Sequence, residues 1–217
     1  MQIIYLGHSS FLIKTNQAKI VCDPYPSNHP DLGLKCPKGI TADIVTISHD
    51  HYDHTAISNV GGDPYVVREP GEFEIKGVNI YGVQVFHDEA KGAERGENNI
   101  YLIESEGLSV CHLGDLGHAL DSEQANELSE VDILMVPVGG KYTLDAKKAA
   151  EVVSKVEPKV VIPMHYKVKD LTLDIEGVDP FLKEMGAEGV EVQESFESKS
   201  RDTLPEEMQV VVLEKRK

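Results

Sequence analysis

Four candidate metal donors, His49, His51, Asp53 and His54, occupy six consecutive positions in the run Ser48-His49-Asp50-His51-Tyr52-Asp53-His54-Thr55. Imidazole nitrogens and carboxylate oxygens suit zinc best, with manganese or iron as alternatives, and none of the three cysteines falls beside them. Farther along the chain the same donor types recur singly as His87, Asp115 and His165. Seven such donors are what two adjacent divalent ions need. Two ions together perform hydrolysis: one lowers the pKa of a bound water from about 15.7 to roughly 7, and the other polarises the substrate oxygen.

For donors so far apart to meet, regular elements must deliver them to one place. The β-branched run Ile44-Val45-Thr46-Ile47 precedes the histidine loop, and the strand predicted over Val78 to Phe86 ends at His87. Leu108 to Leu113 runs into Gly114-Asp115-Leu116-Gly117-His118, where flanking glycines let the carboxylate turn back toward strand ends. Lys159 to Pro163 points at Met164-His165-Tyr166. Gln2 to Leu6, Ser10 to Thr15 and Lys19 to Cys22 read as an antiparallel opening, with Asn16-Gln17 as a turn. Further strands are expected at Tyr65 to Val67, Asn99 to Glu104 and Ile133 to Val136, with a hairpin region over Gly71 to Lys76.

Two helices are expected. A short acidic one runs from Ser122, its predicted cap, to Ser129. The other is capped by Asp145, carries Ala146, Ala149, Ala150, Val153 and Val156 at helical spacing, and stops at Pro158. Ser27 to Thr41, polar and proline-punctuated, reads as a loop on the surface or over a site. Asp88 to Asn98 reads as a glycine-bearing polar loop, flexible at the mouth of a pocket.

A chain of 217 residues suits a single domain spanning 1–217 with a substantial core. Its net charge of -16 repels phosphate backbones and anionic membranes, so neither nucleic acid nor membrane is expected as a partner. Bound cations would offset part of that charge, which leaves a small substrate free to be anionic. Cys22, Cys36 and Cys111 are too scattered for a disulfide framework. The N-terminus lacks the pattern of a signal peptide, and no apolar run spans a bilayer, which together predict a cytoplasmic protein.

The order His-x-His-x-Asp-His, a His after a strand, Gly-Asp, and a late His resembles the metallo-β-lactamase superfamily, over nearly the whole chain. The opening Gly-His-Ser-Ser-Phe-Leu-Ile, then Asp-Pro-Tyr and Pro-Met-His-Tyr, is similar to its small group of zinc-dependent hydrolases of the ascorbate-6-phosphate lactonase type. The resemblance implies an α/β fold, the αββα sandwich of two mixed sheets with helices outside; sandwich folds of this size often associate, so a homo-oligomer is a candidate partner state. It implies one ion on His49, His51 and His87, another on Asp53, His54 and His165, and Asp115 bridging them. It departs from the broader pattern at His87-Asp88 and at Gly114-Asp115-Leu116, so no relative's substrate transfers.

The same map suggests supporting roles. Asp23 could fix a ligating imidazole, and His8 approaches from a neighbouring strand end. His112 flanks Asp115 and could point either way. His118 is a candidate proton donor to the leaving group, making it catalytic alongside Asp53. Arg95 and Asn98 are candidates for anchoring an anionic substrate group. The expected activity is zinc-dependent hydrolysis of a small ester, lactone or phosphoester. The alternatives are a phosphodiesterase or nuclease, disfavoured by charge, and a metal-binding member without catalysis.

Overall fold

The computed structural model describes residues 1–128 and 130–217. The chain opens with β1 (Gln2–Gly7), β2 (Ser10–Lys14), β3 (Lys19–Cys22), β4 (Ile44–Thr46) and β5 (Tyr65–Val67). Then follow β6 (Gly71–Ile75), β7 (Val78–Phe86), β8 (Glu97–Ser105) and β9 (Leu108–His112). Helix α1 (Ser122–Glu127), β10 (Ile133–Pro137), α2 (Ala146–Val156) and β11 (Val160–Met164) come next. Last come α3 (Asp179–Glu184), β12 (Val192–Gln193), β13 (Phe196–Glu197), β14 (Gln209–Val210) and β15 (Val212–Leu213).

These strands form a six-stranded sheet, ordered β13-β1-β2-β3-β4-β5, and a seven-stranded sheet, ordered β14-β11-β10-β9-β8-β7-β6. Both are mixed. Alternate residues of the first sheet, among them Ile3, Tyr5, Ile13 and Ile20, share one core with Ile80, Ile100, Val110 and Ile133 of the second. The α/β sandwich expected from the sequence is therefore the observed architecture. The seven-stranded sheet is backed by α2, whose buried Ala149, Val152, Val153 and Val156 join that core.

The other outer face differs in kind. Ile4, Leu6, Leu12, Val21 and Val45 are covered by Leu32, Leu34, Ile40 and Leu171 from irregular segments, and no α-helix among the described residues joins that cluster. The proline-punctuated loop of 27–41 thus serves as a lid on a sheet, which explains its buried leucines.

Local differences from the sequence reading have plain causes. Gly71–Ile75 is a full strand paired with β7, where only a hairpin region was expected. Helix α1 is capped by Asp121, not Ser122: the Asp121 carboxylate accepts from the Glu123 and Gln124 amides, and Gln124 returns the bond. The expected end of that helix at Ser129 lies outside the described residues. The C-terminal strands β12 to β15 have two residues each, too few to show a period of two. Among the described residues, no helix is long and apolar enough to cross a membrane.

Topology brings one edge of each sheet together. Antiparallel pairing of β1 with β2 and of β2 with β3, then parallel pairing of β3, β4 and β5, makes β1, β3 and β4 end on the same side. In the other sheet β8 runs against β7 and β9, and β9, β10 and β11 run parallel, so β7, β9 and β11 likewise end together. The two edges are tied by backbone bonds, from the His165 amide to the His8 carbonyl at 3.0 Å and from the Asn99 amide to the Ser48 carbonyl at 2.8 Å.

Candidate metal centre

Six strand ends meet at this shared edge: His8 follows β1, Asp23 follows β3, and the His49 to His54 loop follows β4. His87 follows β7, Asp115 lies just past β9, and His165 follows β11. His8, Asp23 and His165 each turn through the left-handed backbone region, with φ of 58°, 44° and 50°. Side chains other than glycine are strained there and persist only where packing enforces it, as at functional sites.

Asp115 sits at the centre. Its Oδ2 lies 3.3 Å from His54 Nε2, 3.4 Å from His87 Nε2 and 3.2 Å from His165 Nε2. Its Oδ1 accepts from the Ser9 hydroxyl at 3.1 Å. Nitrogens of His49, His51 and His87 lie within 4.8 Å of one another on one side, and nitrogens of His8, His54 and His165 do so on the other. Asp53 Oδ2 is 3.9 Å from His54 Nε2 and 3.0 Å from His8 Nε2.

Asp23 and Ser48 set the tautomers. The Ser48 amide and hydroxyl donate to Asp23, which also accepts from His54 Nδ1 at 2.9 Å. With its hydroxyl proton directed at Asp23, Ser48 Oγ accepts from His49 Nδ1 at 2.8 Å. Both imidazoles therefore turn Nε2 toward the cluster, His49 to His51 Nδ1 at 3.0 Å and His54 to Asp115 Oδ2 at 3.3 Å. Asp23 accepts the hydrogen bond that fixes the His54 ring. Ser9 and Ser48 were missed, although both stand next to motif histidines, because serine beside a loop usually reads as a turn residue.

Electrostatics favours cations. Asp23, Asp53 and Asp115 are buried or nearly so, with side-chain exposures of 0 %, 13 % and 4 %, and no lysine or arginine among the described residues pairs with them. Burial alone would raise the Asp115 pKa, yet His165 and His54 hold it well below the usual carboxylate range. Burial likewise opposes charge on His54, but Asp115 and Asp53 outweigh it and raise its pKa well above the ordinary value. Burial and the neighbouring His165 lower His8 to about 4. Burial, with His54, lowers His49, and burial, with His87, lowers His51. These neutral rings present lone pairs, the form that binds metal. His54 Nε2 is buried without a hydrogen bond, and a cation taking the place of its proton would satisfy it. The donor set thus fits divalent ions.

Other sequence candidates fall elsewhere. His112 is buried and structural: Nε2 donates to the Ser9 carbonyl at 2.7 Å, and Nδ1 accepts from the Gly114 amide. Asn98 is no substrate anchor, because its amide donates to the Leu113 carbonyl and its Oδ1 accepts from the Asp115 amide at 2.9 Å. It cradles the Asp115 turn instead. His118 has no nitrogen to spare for a leaving group: Nδ1 donates to the Ala119 carbonyl and Nε2 accepts from the Phe86 amide. Arg95 lies over the Tyr142 ring and beside Glu94, in a cleft that Asp88 and Lys141 also line. The loop following His87 is ordered, because Asp88 accepts from the amides of Gly92, Glu94 and Arg95. Of the imidazoles in the cluster, His51 is the exposed one, and exposed Tyr52 packs at a tilt against the His29 ring beside it, so the opening lies there.

A carboxylate ringed by imidazoles at the joined edges of an α/β sandwich defines a class of metalloprotein fold. The match of residues 2–165 to the β-lactamase superfamily domain places this chain in that family. A UPF0173 metal-dependent hydrolase of Pyrobaculum islandicum is 32 % identical over 193 residues, covering 76 % of this chain and 84 % of the relative. Another, of Methanopyrus kandleri, is 28 % identical over 82 % of this chain and 96 % of its own length. A solved metallo-β-lactamase superfamily structure from Thermotoga maritima is 39 % identical, with a TM-score of 0.78 and coverage of 98 % of this chain and 97 % of that one.

Proposed function

We propose that this protein is a metal-dependent hydrolase that cleaves a small ester, lactone or phosphoester with two divalent ions, zinc foremost. The observation that carries the reading is three enclosed carboxylates converging with six imidazoles at one strand edge, with no lysine or arginine among the described residues paired to them. His49, His51 and His87 would hold one ion; Asp53, His54 and His165 the other, with Asp115 between. Bound there, the ions would supply an activated water at neutral pH and a Lewis acid for the substrate oxygen.

The chain's own groups do the rest. Asp23 and Ser48 hold the His54 and His49 rings in the tautomer that aims Nε2 inward. Ser9 and Asn98 fix the Asp115 carboxylate and backbone. Asp53 is the most exposed of the three carboxylates, and its Oδ2 lies 3.0 Å from His8 Nε2. It is therefore the carboxylate best placed to receive a proton from an entering water. Resemblance to relatives named metal-dependent hydrolases supports the reaction class.

The test is turnover of a panel of lactones, carboxylic esters, phosphomonoesters, phosphodiesters and RNA by protein loaded with zinc or manganese. Hydrolysis of a small ester, lactone or phosphoester that a chelator abolishes and metal restores is expected. Cleavage confined to RNA, or a fully loaded protein inert across the panel, overturns the reading.

A further inference from the structure

Away from the histidine cluster, a cleft of about 850 Å³ opens between the loop after β3, the loop after His165 and the strand β15. That volume lies in the range of sites that enclose a small organic ligand. Leu34, Tyr166, Val178, Val192 and Leu213 make its walls apolar. Val192 is 61 % exposed, a large aliphatic side chain left open to solvent within a concavity. Apolar surface gathered in this way marks binding surface more than scattered leucines do.

The rim has the opposite sign to the rest of the molecule. Acidic residues outnumber lysine and arginine 37 to 21 in the chain. The cleft, by contrast, is lined by Lys35, Lys38, Lys169, Lys215 and Lys217 against only Asp170 and Glu214. Lys217 pairs with Glu214 at 3.9 Å, and the other four lysines have no carboxylate partner among the described residues. The half-buried Lys215 lays its stem near Gly7, and burial lowers its pKa, so an anion beside it would restore lost solvation. Lysine stems extend apolar walls while their ammonium groups stay at the rim.

We propose that this cleft binds a single-chain amphipathic carboxylate of the free fatty acid class, its chain against the apolar walls and its head among the lysines. A flat anionic membrane fits less well, since the net charge of -16 opposes approach to such a surface while a concave slot suits one chain. None of the metal-donor side chains lines the cleft, although Tyr166 follows His165 directly, so the site stands apart from the hydrolytic one.

Isothermal titration of the full chain with dodecanoate below its micellar concentration tests this, against dodecyltrimethylammonium, butyrate, and vesicles of zwitterionic and anionic phospholipid. Saturable one-site binding of dodecanoate is expected, with little uptake of the cationic amphiphile or of butyrate. Lys38→Glu combined with Lys169→Glu, and separately Val192→Asp, should each weaken it by about tenfold or more, with turnover at the metal site unchanged. Should the charge-reversed chain fail to fold, Lys38→Gln with Lys169→Gln keeps the stems and serves in its place. Equal affinity for the cationic amphiphile, binding to vesicles alone, binding indifferent to these substitutions, or no binding by a chain that self-associates over the cleft each overturns the proposal.

Discussion

The two sheet edges that build the centre position their donors differently. On the six-stranded edge, a local network orients the rings: Asp23 holds His54 and Ser48, and Ser48 holds His49. On the seven-stranded edge, Nδ1 of His87 and of His165 is buried without a partner. These rings are placed by backbone. Gly117 lies so close to the His87 carbonyl, and Gly139 to the His165 carbonyl, that a Cβ at either would collide with it. One edge thus fixes imidazoles through their outer nitrogens, and the other through the main chain that carries them. Asp115 joins the two, reaching His54 on one side and His87 and His165 on the other.

Removing a donor from either edge should have the largest effect and be blind to this difference. Asp53→Ala and His165→Ala are each expected to lower kcat/KM on the identified substrate by about 10² to 10⁴-fold. Metal content by elemental analysis should fall, while circular dichroism stays close to that of the parent. Near-normal turnover in both would remove these residues from the centre.

A smaller effect should separate the edges. Asp23→Asn cannot accept from Ser48 and His54 as the carboxylate does, and orienting partners of metal-bound histidines contribute about 10 to 100-fold in affinity or activity. Its metal dissociation constant should therefore rise within that range. Asn98→Ala acts on the other edge through backbone, leaving the Asp115 amide and the Leu113 carbonyl unpaired at a cost of about 1–3 kcal/mol in stability. Its unfolding midpoint should fall more than its metal affinity does. If both variants lose affinity and stability in the same proportion, the contrast between the edges fails.

The same contrast governs what could be read from the chain. His49, His51, Asp53 and His54 are contiguous, so the six-stranded edge announces itself in six residues. His87, Asp115 and His165 stand out only because each follows an apolar strand, and their convergence is a product of strand order. Roles that depend on rotamer stayed hidden. Asn98 and His118 are polar residues near donors, which reads as substrate contact or acid catalysis, yet the structure commits their atoms to backbone. The lysine cleft was invisible for a similar reason. Its lysines come from three segments, Lys35 with Lys38, Lys169, and Lys215 with Lys217, and only the packing of those distant segments gathers them.

The smallest expected effect belongs to His118. Its Nδ1 donates to the Ala119 carbonyl at 2.8 Å and its Nε2 accepts from the Phe86 amide at 3.2 Å, so both nitrogens are engaged. A ring so held cannot protonate a leaving group without releasing the Phe86 amide, one residue before His87. His118→Gln keeps a side-chain acceptor and should change kcat/KM by about twofold or less, far below the 10² to 10⁴-fold of a lost general acid. The pH profile decides the matter beyond rate alone. A structural His118 leaves the acidic and basic limbs of kcat in place, whereas loss of one limb together with a hundredfold fall in kcat would return the residue to catalysis and give the seven-stranded edge a chemical group that its geometry withholds.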